Sequence, residues 1–249
     1  MNYQNEINIE NKIIGNNQPC YIIAEIGVNH NGDLILAKKL IDAAIESGAD
    51  AVKFQKRNLE SLYRKEALEN PNSESQGFEI LLAELKKIEL SKEDYFDIVN
   101  YCKERKITFL CTPWDTPSVD FLEQLDTPAY KIASGDMTNF PLIKYISKRK
   151  KPMIISTGMS KIEEIEKMVD FVKMLNVQFV LLHANSTYPS PIESLNVSLI
   201  PEYAKKFGLL IGFSDHEIGI IGSLTAANIG AVVIERHITL DKKMKGLDH

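Results

Sequence analysis

The chain has 249 residues, of which 44% are hydrophobic, 25% charged and 8% aromatic, a composition typical of a soluble globular protein with one large core. Its formal net charge of -5 argues against nucleic acid and anionic membranes as partners, so the expected ligand is a small molecule. The polar N-terminus, the lack of a long apolar run and three cysteines without a CxxC pair indicate a cytoplasmic protein.

Residues 1–20 predict a short β-hairpin with Gly-Asn-Asn at its turn. After the hairpin, eight short runs rich in Val and Ile have the composition of buried parallel strands. They occupy residues 21–27, 51–55, 108–113, 129–134, 152–157, 179–185, 209–215 and 231–237. Amphipathic stretches separate most of these runs, so strand and helix alternate seven times. Residues 56–90 are too long for a plain connecting loop, and they predict an extra helix from Phe78 to Ile88.

Eight such repeats without a linker favour an α/β fold of the (β/α)8 TIM barrel type over a doubly wound open sheet. We predict one barrel domain over residues 1–249, with the N-terminal hairpin closing its bottom. The sequence stops before an eighth helix can form. Because a barrel strand without its outer helix leaves an apolar stripe exposed, we expect the chain to be a truncated piece of a longer protein.

Polar residues accumulate at the predicted C-terminal ends of the strands, where a TIM barrel builds its active site. Several pairs are two residues apart and therefore point the same way. Each polar group buried there would cost about 1–3 kcal/mol without a partner, so the accumulation predicts an active site. The residues are Glu25, Lys53, Gln55, Thr112, Lys131, Ser134, Asp136, Ser156, His183, Asn185, Ser214, His216, Glu235 and His237.

His216 and His237 would end neighbouring strands, close enough for both imidazoles to bind one divalent cation. Glu25, Asp136 or water would complete the coordination shell. Alternatively, each histidine caps its strand with an ordinary hydrogen bond.

A site with lysines and hydroxyls also suits a small ligand that carries both phosphate and carboxylate. That set is Lys53, Lys131, Thr112, Ser134, Ser156, Ser186 and Ser214.

Three readings of single residues stay open at this point. Lys53 or Lys131 could instead form a Schiff base with a carbonyl substrate, or a structural ion pair. Cys111 is expected to be a small buried hydrophobic residue and not a nucleophile. His30 either lines the site or orders the loop that contains Asn-Gly.

Seven segments of the chain, in order, resemble the N-acetylneuraminate (sialic acid) synthase family. They are IIAEIGVNHNGD, GADAVKFQK, TPAYKIASGDMTNFPLI, PMIISTGM, ANSTYPSP, IGFSDHEIG and GAVVIERHITLDKKMKGLDH. The resemblance implies a barrel that condenses phosphoenolpyruvate with N-acetylmannosamine or its 6-phosphate, giving a nonulosonic acid and phosphate. It also implies a divalent metal, commonly manganese, with magnesium or cobalt as alternatives. The full-length protein would be a homodimer with a C-terminal antifreeze-like domain, which this chain lacks.

The resemblance also implies roles for individual residues. His216 and His237 would bind the metal, and Glu25 and Asp136 would act beside it in catalysis. Phosphoenolpyruvate would be held by Lys53, Thr112, Lys131, Ser134, Ser156, Ser186 and Ser214. Gln55, Tyr188 and Asp248 would face the sugar.

Two positions resemble the animal members, which use the 6-phosphorylated sugar. Many bacterial members have Glu where this chain has Asp136, and Asn where it has Ser186. The alternatives are a synthase of legionaminic, pseudaminic or spore-coat nonulosonic acid, a Schiff-base aldolase, and a module that binds these ligands without turnover.

Overall fold

The computed structural model describes residues 6–69, 79–244, 246 and 249. Strands β1 (Glu6–Ile9) and β2 (Lys12–Gly15) form the predicted antiparallel hairpin. The predicted turn was wrong, because the chain reverses at Glu10 and Asn11, where Glu10 has a φ of 52°, and Gly-Asn-Asn begins at the last residue of β2. Eight parallel strands then close a barrel in which each strand pairs with the next one along the chain and the last pairs with the first. They are β3 (Tyr21–Gly27), β4 (Ala51–Lys56), β5 (Thr108–Pro113), β6 (Tyr130–Ile132), β7 (Met153–Ser156), β8 (Phe179–Ala184), β9 (Ile211–Asp215) and β10 (Val233–His237). The predicted barrel and hairpin are confirmed.

Ten α-helices are described. They are α1 (Leu34–Glu46), α2 (Leu59–Leu62), α3 (Lys65–Glu69), α4 (Glu79–Ile88), α5 (Lys92–Arg105), α6 (Thr116–Gln124), α7 (Phe140–Ser147), α8 (Ile162–Met174), α9 (Leu199–Phe207) and α10 (Ile221–Asn228). The predicted extra helix is α4, although Phe78 lies outside the described residues. Helices α2 and α3, in the same connection, were not predicted.

Side-chain caps start several of the helices directly after the barrel strands. The Asp33 carboxylate accepts from the backbone N–H groups of Ile35 and Leu36 at the start of α1. Asp115 caps α6 by accepting from the N–H of Ser118, and its other oxygen accepts from the N–H of Asn58, 2.6 Å away. Asp115 therefore ties the end of β4 to the start of α6.

Alternation along the strands divides the barrel interior into an apolar lower part and a polar upper part. In the lower part, inward side chains such as Ile23 and Leu110 pack together with Ile9 and other residues of the hairpin. A Cβ on Gly212 would lie 2.5 Å from Leu182 Cδ2, so glycine leaves the room that this leucine needs. Two residues further along the strands, polar side chains take the place of the apolar ones.

No helix is described after β10, so the chain contributes seven of the eight outer helices through its described residues. The helices that the structure describes include none that is both long and apolar enough to cross a membrane.

Candidate active site

A cavity of about 210 Å³ opens at the C-terminal ends of the strands. Most of the predicted site residues line it: Glu25, Lys53, Gln55, Thr112, Lys131, Ser134, Ser156, Ser186, Tyr188, Ser214, His216 and His237. Asp136 does not line this cavity, and Asp248 lies outside the described residues. The structure therefore brings most of the residues that the two-residue spacing singled out to one cavity.

Two lysines and two glutamates form a buried ion network at the floor of the cavity. Lys53 Nζ lies 2.7 Å from Glu25 Oε2 and 3.6 Å from Glu235 Oε2, and it donates to Thr112 Oγ1 at 3.1 Å. Lys131 Nζ donates to Glu235 Oε1 at 2.9 Å. All four charged residues are between 2% and 5% exposed. Because buried charges are costly unless paired, the balance of two cations and two anions stabilises the site before any ligand binds.

The ion network shifts the pKa values of its members in different directions. Burial would raise the pKa of Glu235, but Lys131 and Lys53 outweigh it and hold this pKa well below the ordinary value. Burial opposes the charge of Lys53, yet the Glu235 and Glu25 carboxylates raise its pKa. Burial lowers the pKa of Lys131, with Glu235 opposing that shift and Lys53 adding repulsion. Lys131 is therefore the lysine that loses its proton more readily.

Glu235 is the main site residue to which the sequence assigned no role. It lines the cavity, bonds to Lys131 and accepts a hydrogen bond from Ser214 Oγ at 2.9 Å. Its spacing of two residues from His237 placed it at the same rim, and this was the signal that could have identified it.

Three serines and one glycine form a hydroxyl-lined wall. Ser134 Oγ accepts from the backbone N–H of Gly158 at 3.0 Å. A Cβ on Gly158 would lie 2.2 Å from Ser186 Oγ and 2.8 Å from Ser134 Oγ, so only glycine lets these hydroxyls converge. Ser156 Oγ is buried and has no hydrogen-bond partner among the residues that the structure describes. This wall can donate to the oxygens of an anion.

His216 and His237 lie side by side, with ring centroids 5.7 Å apart. The ring of Tyr188 lies 4.1 Å from His216 and 5.9 Å from His237. His216 Nδ1 is bonded to the carbonyl of Asn185. Because a carbonyl only accepts, Nδ1 carries the proton and Nε2 keeps its lone pair, as in most metal-binding histidines. Burial lowers the pKa of His216, which favours the neutral form.

The donor set around the two histidines fits a metal site with open positions. Within the described part of the chain, no group of three or more His, Cys, Asp or Glu side chains is arranged to hold a metal ion. His216 and His237 would thus supply two nitrogen ligands, and oxygen atoms of water or substrate would supply the rest.

A second cavity of about 360 Å³ adjoins the first and shares Tyr188, His216 and His237 with it. Its other lining residues are Pro189, Asp215, Glu217, Ile218, Arg236, Thr239, Lys242 and His249. The two histidines therefore stand between a hydroxyl-rich space that contains the paired lysines and a larger one.

Asp136 lies on the short 3-10 turn after β6. Its Oδ1 accepts from Asn139 Nδ2 at 3.0 Å, and burial raises its pKa. Its neighbours Ser134 and Gly135 line the cavity, but Asp136 itself does not. The role of Asp136 beside the metal therefore stays a prediction.

Three other candidates have structural roles. His183 Nε2 is bonded to the Leu195 carbonyl at 2.8 Å, away from the cavity. His30 Nδ1 accepts from the N–H of Gly32 at 3.1 Å, and burial lowers its pKa to about 4, so this neutral ring orders its loop. Burial raises the pKa of Cys111, as expected for a small buried hydrophobic residue.

Comparisons with known proteins give the same family throughout the chain. The sequence profile of the NeuB family matches residues 40–249. The N-acetylneuraminate-9-phosphate synthase of Homo sapiens is 42% identical over 238 residues, covering 95% of this chain and 66% of its own length. The N,N'-diacetyllegionaminic acid synthase of Legionella pneumophila subsp. pneumophila is 41% identical over 242 residues, covering 94% of this chain and 68% of its own.

Solved structures agree. The crystal structure of N-acetylneuraminic acid (sialic acid) synthetase from Leptospira borgpetersenii serovar Hardjo-bovis, in complex with citrate, matches with a TM-score of 0.88 and 34% identity. The match covers 98% of this chain and 81% of that one. The chain spans about two thirds of the length of the curated relatives described above. The profile match and these identities confirm the resemblance in the sequence: the chain belongs to the NeuB family, the sialic acid synthase family.

Proposed function

We propose that residues 1–249 form one catalytic barrel domain that condenses phosphoenolpyruvate with N-acetylmannosamine, or its 6-phosphate, to a nonulosonic acid and phosphate. The observation that carries the proposal is the 210 Å³ cavity, in which two buried lysines and several hydroxyls face a pair of histidines. Such a wall suits a small dianion, and neutral imidazoles suit a divalent metal. Membership of the NeuB family supports the same class of reaction.

Phosphoenolpyruvate would bind beside the two lysines of the cavity. Lys53 and Lys131 would neutralise its phosphate and carboxylate, and hydroxyls would donate to the oxygens. These hydroxyls belong to Thr112, Ser134, Ser156, Ser186 and Ser214. Ser156 Oγ, which lacks a partner among the described residues, has a donor ready for this ligand.

His216 and His237 would hold the divalent cation, with manganese expected and magnesium or cobalt as alternatives. When bound, the cation supplies Lewis-acid polarisation of the aldehyde oxygen of the open-chain sugar. Tyr188, which is 53% exposed beside both rings, would face the sugar together with Gln55 and Asp248.

In the reaction, C3 of phosphoenolpyruvate would form a bond to the aldehyde carbon, the aldehyde C=O π bond would open to an oxyanion that takes up a proton to become a hydroxyl, and water would add at C2. Glu25, which lines the cavity, would take a proton from that water, with Asp136 as the alternative base. The tetrahedral intermediate then expels phosphate by cleavage of its bond from C2 to oxygen. Lys53 and Lys131 neutralise the charge that moves onto the leaving group.

The acceptor sugar would bind toward the 360 Å³ cavity, which shares the two histidines and Tyr188. One relative is named for N-acetylneuraminate 9-phosphate and another for N,N'-diacetyllegionaminic acid, so these products define the two leading acceptor types. Asp136 and Ser186 favour the 6-phosphate. Precursors of pseudaminic and spore-coat sugars are the remaining alternatives.

Phosphate release tests the proposed reaction. Protein supplied with manganese, phosphoenolpyruvate and either N-acetylmannosamine or its 6-phosphate should release phosphate in step with a nonulosonic acid. In oxygen-18 water, the label should enter the acid and not the phosphate. Label in the phosphate would contradict C–O cleavage, and binding of both substrates without turnover would favour the reading as a binding module.

A Schiff-base aldolase remains the second candidate, because burial lowers the pKa of Lys131 and brings its amine closer to the reactive neutral form. Borohydride with pyruvate would trap an aldolase covalently and without metal. We expect no trapping, since Lys53 and Lys131 are both paired with carboxylates. A trapped adduct would replace the synthase proposal.

We also propose a homodimer for the full-length protein. Four large apolar side chains close together in the sequence, of which Ile218 lines the 360 Å³ cavity, are each at least 60% exposed, which suits a surface covered by a partner: Ile218, Ile220, Ile221 and Leu224. Light scattering on the full-length protein should give twice the monomer mass. A monomer at micromolar concentration would contradict this.

A further inference from the structure

Arg57 lies just beyond β4 and reaches the site through one intermediate side chain. Its guanidinium donates to Gln55 Oε1. Gln55 Nε2 in turn donates to Glu25 Oε1 at 2.8 Å. Gln55 and Glu25 both line the cavity, whereas Arg57 does not. Arg57 can therefore act on the cavity through the Gln55 amide, and the second route open to it is Trp114, a lining residue on which its guanidinium stacks.

The chemistry of the three groups determines which way this amide points. A guanidinium can only donate hydrogen bonds, and an ionised carboxylate can only accept them. Gln55 must therefore present its oxygen to Arg57 and its nitrogen to Glu25. An amide of glutamine can turn over in most surroundings, because its two ends have nearly the same shape. Here the partner at each end excludes the reversed orientation.

Arg57 is itself firmly placed. Its guanidinium stacks on the indole of Trp114, with Cζ 4.6 Å from the ring centroid. The backbone on either side is tied down, since Tyr95 Oη donates to the carbonyl of Gln55 at 2.6 Å and the N–H of Asn58 donates to Asp115. These contacts hold the guanidinium at the distance from which it reaches Gln55.

The positive charge of Arg57 is also not shared with an ion-pair partner among the described residues. None of the described carboxylates forms an ion pair with it. The carboxylate of Glu89, which influences Arg57 most strongly, is already paired with Lys56. The hydrogen bond to Gln55 is therefore the main polar contact of this guanidinium within the described residues, and charged donors make the stronger hydrogen bonds.

We propose that Arg57 is a positioning residue for the acceptor half of the site, acting through the orientation of the Gln55 amide. The inference rests on the proposed function, in which Gln55 faces the sugar. Loss of Arg57 lets the amide turn over, so the sugar meets the wrong end of Gln55 in part of the molecules. The KM of the acceptor sugar should rise, while the KM of phosphoenolpyruvate, which binds around Lys53 and Lys131, should not.

A double-mutant cycle tests this route. Arg57→Gln should raise the acceptor KM about tenfold, the effect of one hydrogen bond to a charged group, and leave the KM of phosphoenolpyruvate within about twofold. Arg57→Lys should restore part of the loss. In the Gln55→Ala background, Arg57→Gln should change the acceptor KM less than about twofold. Arg64→Gln, which removes an exposed arginine from the same connection, is the matched control and should behave as wild type.

The four proteins of the cycle, which are wild type, Arg57→Gln, Gln55→Ala and the double variant, are also unfolded in urea, because that measurement needs no turnover. Coupled losses of stability for Arg57→Gln and Gln55→Ala support the link even if no acceptor gives phosphate release, an outcome that would overturn the proposed function alone. Two results overturn the inference itself. One is additive effects of the two substitutions in both cycles. The other is a tenfold rise in acceptor KM that persists in the Gln55→Ala background, which would mean that Arg57 acts on the sugar site by another route, such as its contact with Trp114.

Discussion

Lys131 and Glu235 form a 2.9 Å ion pair across the full width of the barrel. Lys131 is on β6 and Glu235 is on β10, and these strands stand opposite each other in the closed order of eight. Glu235 also lies 3.6 Å from Lys53 through its other oxygen. One carboxylate therefore offsets two buried cations in the cavity, in the place where the phosphate and carboxylate of a ligand are proposed to bind.

Replacement of Glu235 by Gln should destabilise the fold. The amide keeps the shape but leaves two buried lysines with only the Glu25 carboxylate, so the free energy of unfolding should fall by roughly 3 kcal/mol. Urea unfolding followed by circular dichroism measures this. Glu202→Gln, an exposed change of the same type on α9, should stay within about 0.5 kcal/mol of wild type. Equal stability of the two variants would show that the ion network contributes little.

The same carboxylate should make stability depend on pH in the acid range. The pKa of Glu235 in the folded protein lies below its ordinary value of 4.5, so the unfolded chain takes up this proton first as pH falls. The contribution of Glu235 to stability is thus present above about pH 4.5 and is lost as pH falls further toward its folded pKa. Between about pH 5 and pH 3, wild type should lose more stability than Glu235→Gln. Parallel curves for the two proteins would contradict this.

The barrel was predictable because buried parallel strands leave short, continuous apolar runs, and each run kept its place in the structure. Helices α2 and α3 were not predictable in this way. Neither has a buried residue, so neither leaves a periodic apolar pattern in the sequence. Their boundaries depend instead on local hydrogen bonds, such as the cap that Asn58 provides for α2.

The site was predictable where a residue's role follows from its position on one strand. Lys53 and Gln55, two residues apart on β4, face the cavity together as expected. Glu235 received no role because its ion-pair partners, Lys53 on β4 and Lys131 on β6, are far from β10 in the sequence, and only the closed barrel brings the three side chains to one cavity. Arg57 and Trp114 were missed for a different reason: they follow the consecutive strands β4 and β5, and no sequence pattern shows that their side chains stack.

Removal of either histidine of the pair should strongly weaken metal binding. With one imidazole left, the site has a single nitrogen ligand, and we expect His216→Ala and His237→Ala each to weaken manganese binding at least about 100-fold. Calorimetric titration of the protein after treatment with a chelator measures this without turnover. His183→Gln is the control, because His183 ends a strand yet points away to the Leu195 carbonyl. Unchanged manganese affinity in both alanine variants would place the metal elsewhere.

A methyl group added at Gly158 should test whether the hydroxyl-lined wall binds phosphoenolpyruvate. In Gly158→Ala, the new Cβ would lie 2.2 Å from Ser186 Oγ, so that hydroxyl must turn away from the anion site. We expect the KM of phosphoenolpyruvate to rise about tenfold, the effect of one lost hydrogen bond to a charged ligand, with little change in the unfolding temperature.

The matched control for this methyl group is Gly135→Ala. Gly135 lines the same cavity, but its Cβ would meet nothing closer than 3.9 Å, so its KM should stay near that of wild type. If both alanine variants raised the KM equally, general crowding of the cavity would explain the effect. If neither did, Ser134 and Ser186 would not hold the phosphate. A rise in Gly158→Ala alone is the result that assigns these two hydroxyls to the anion, because only there does the added carbon displace them.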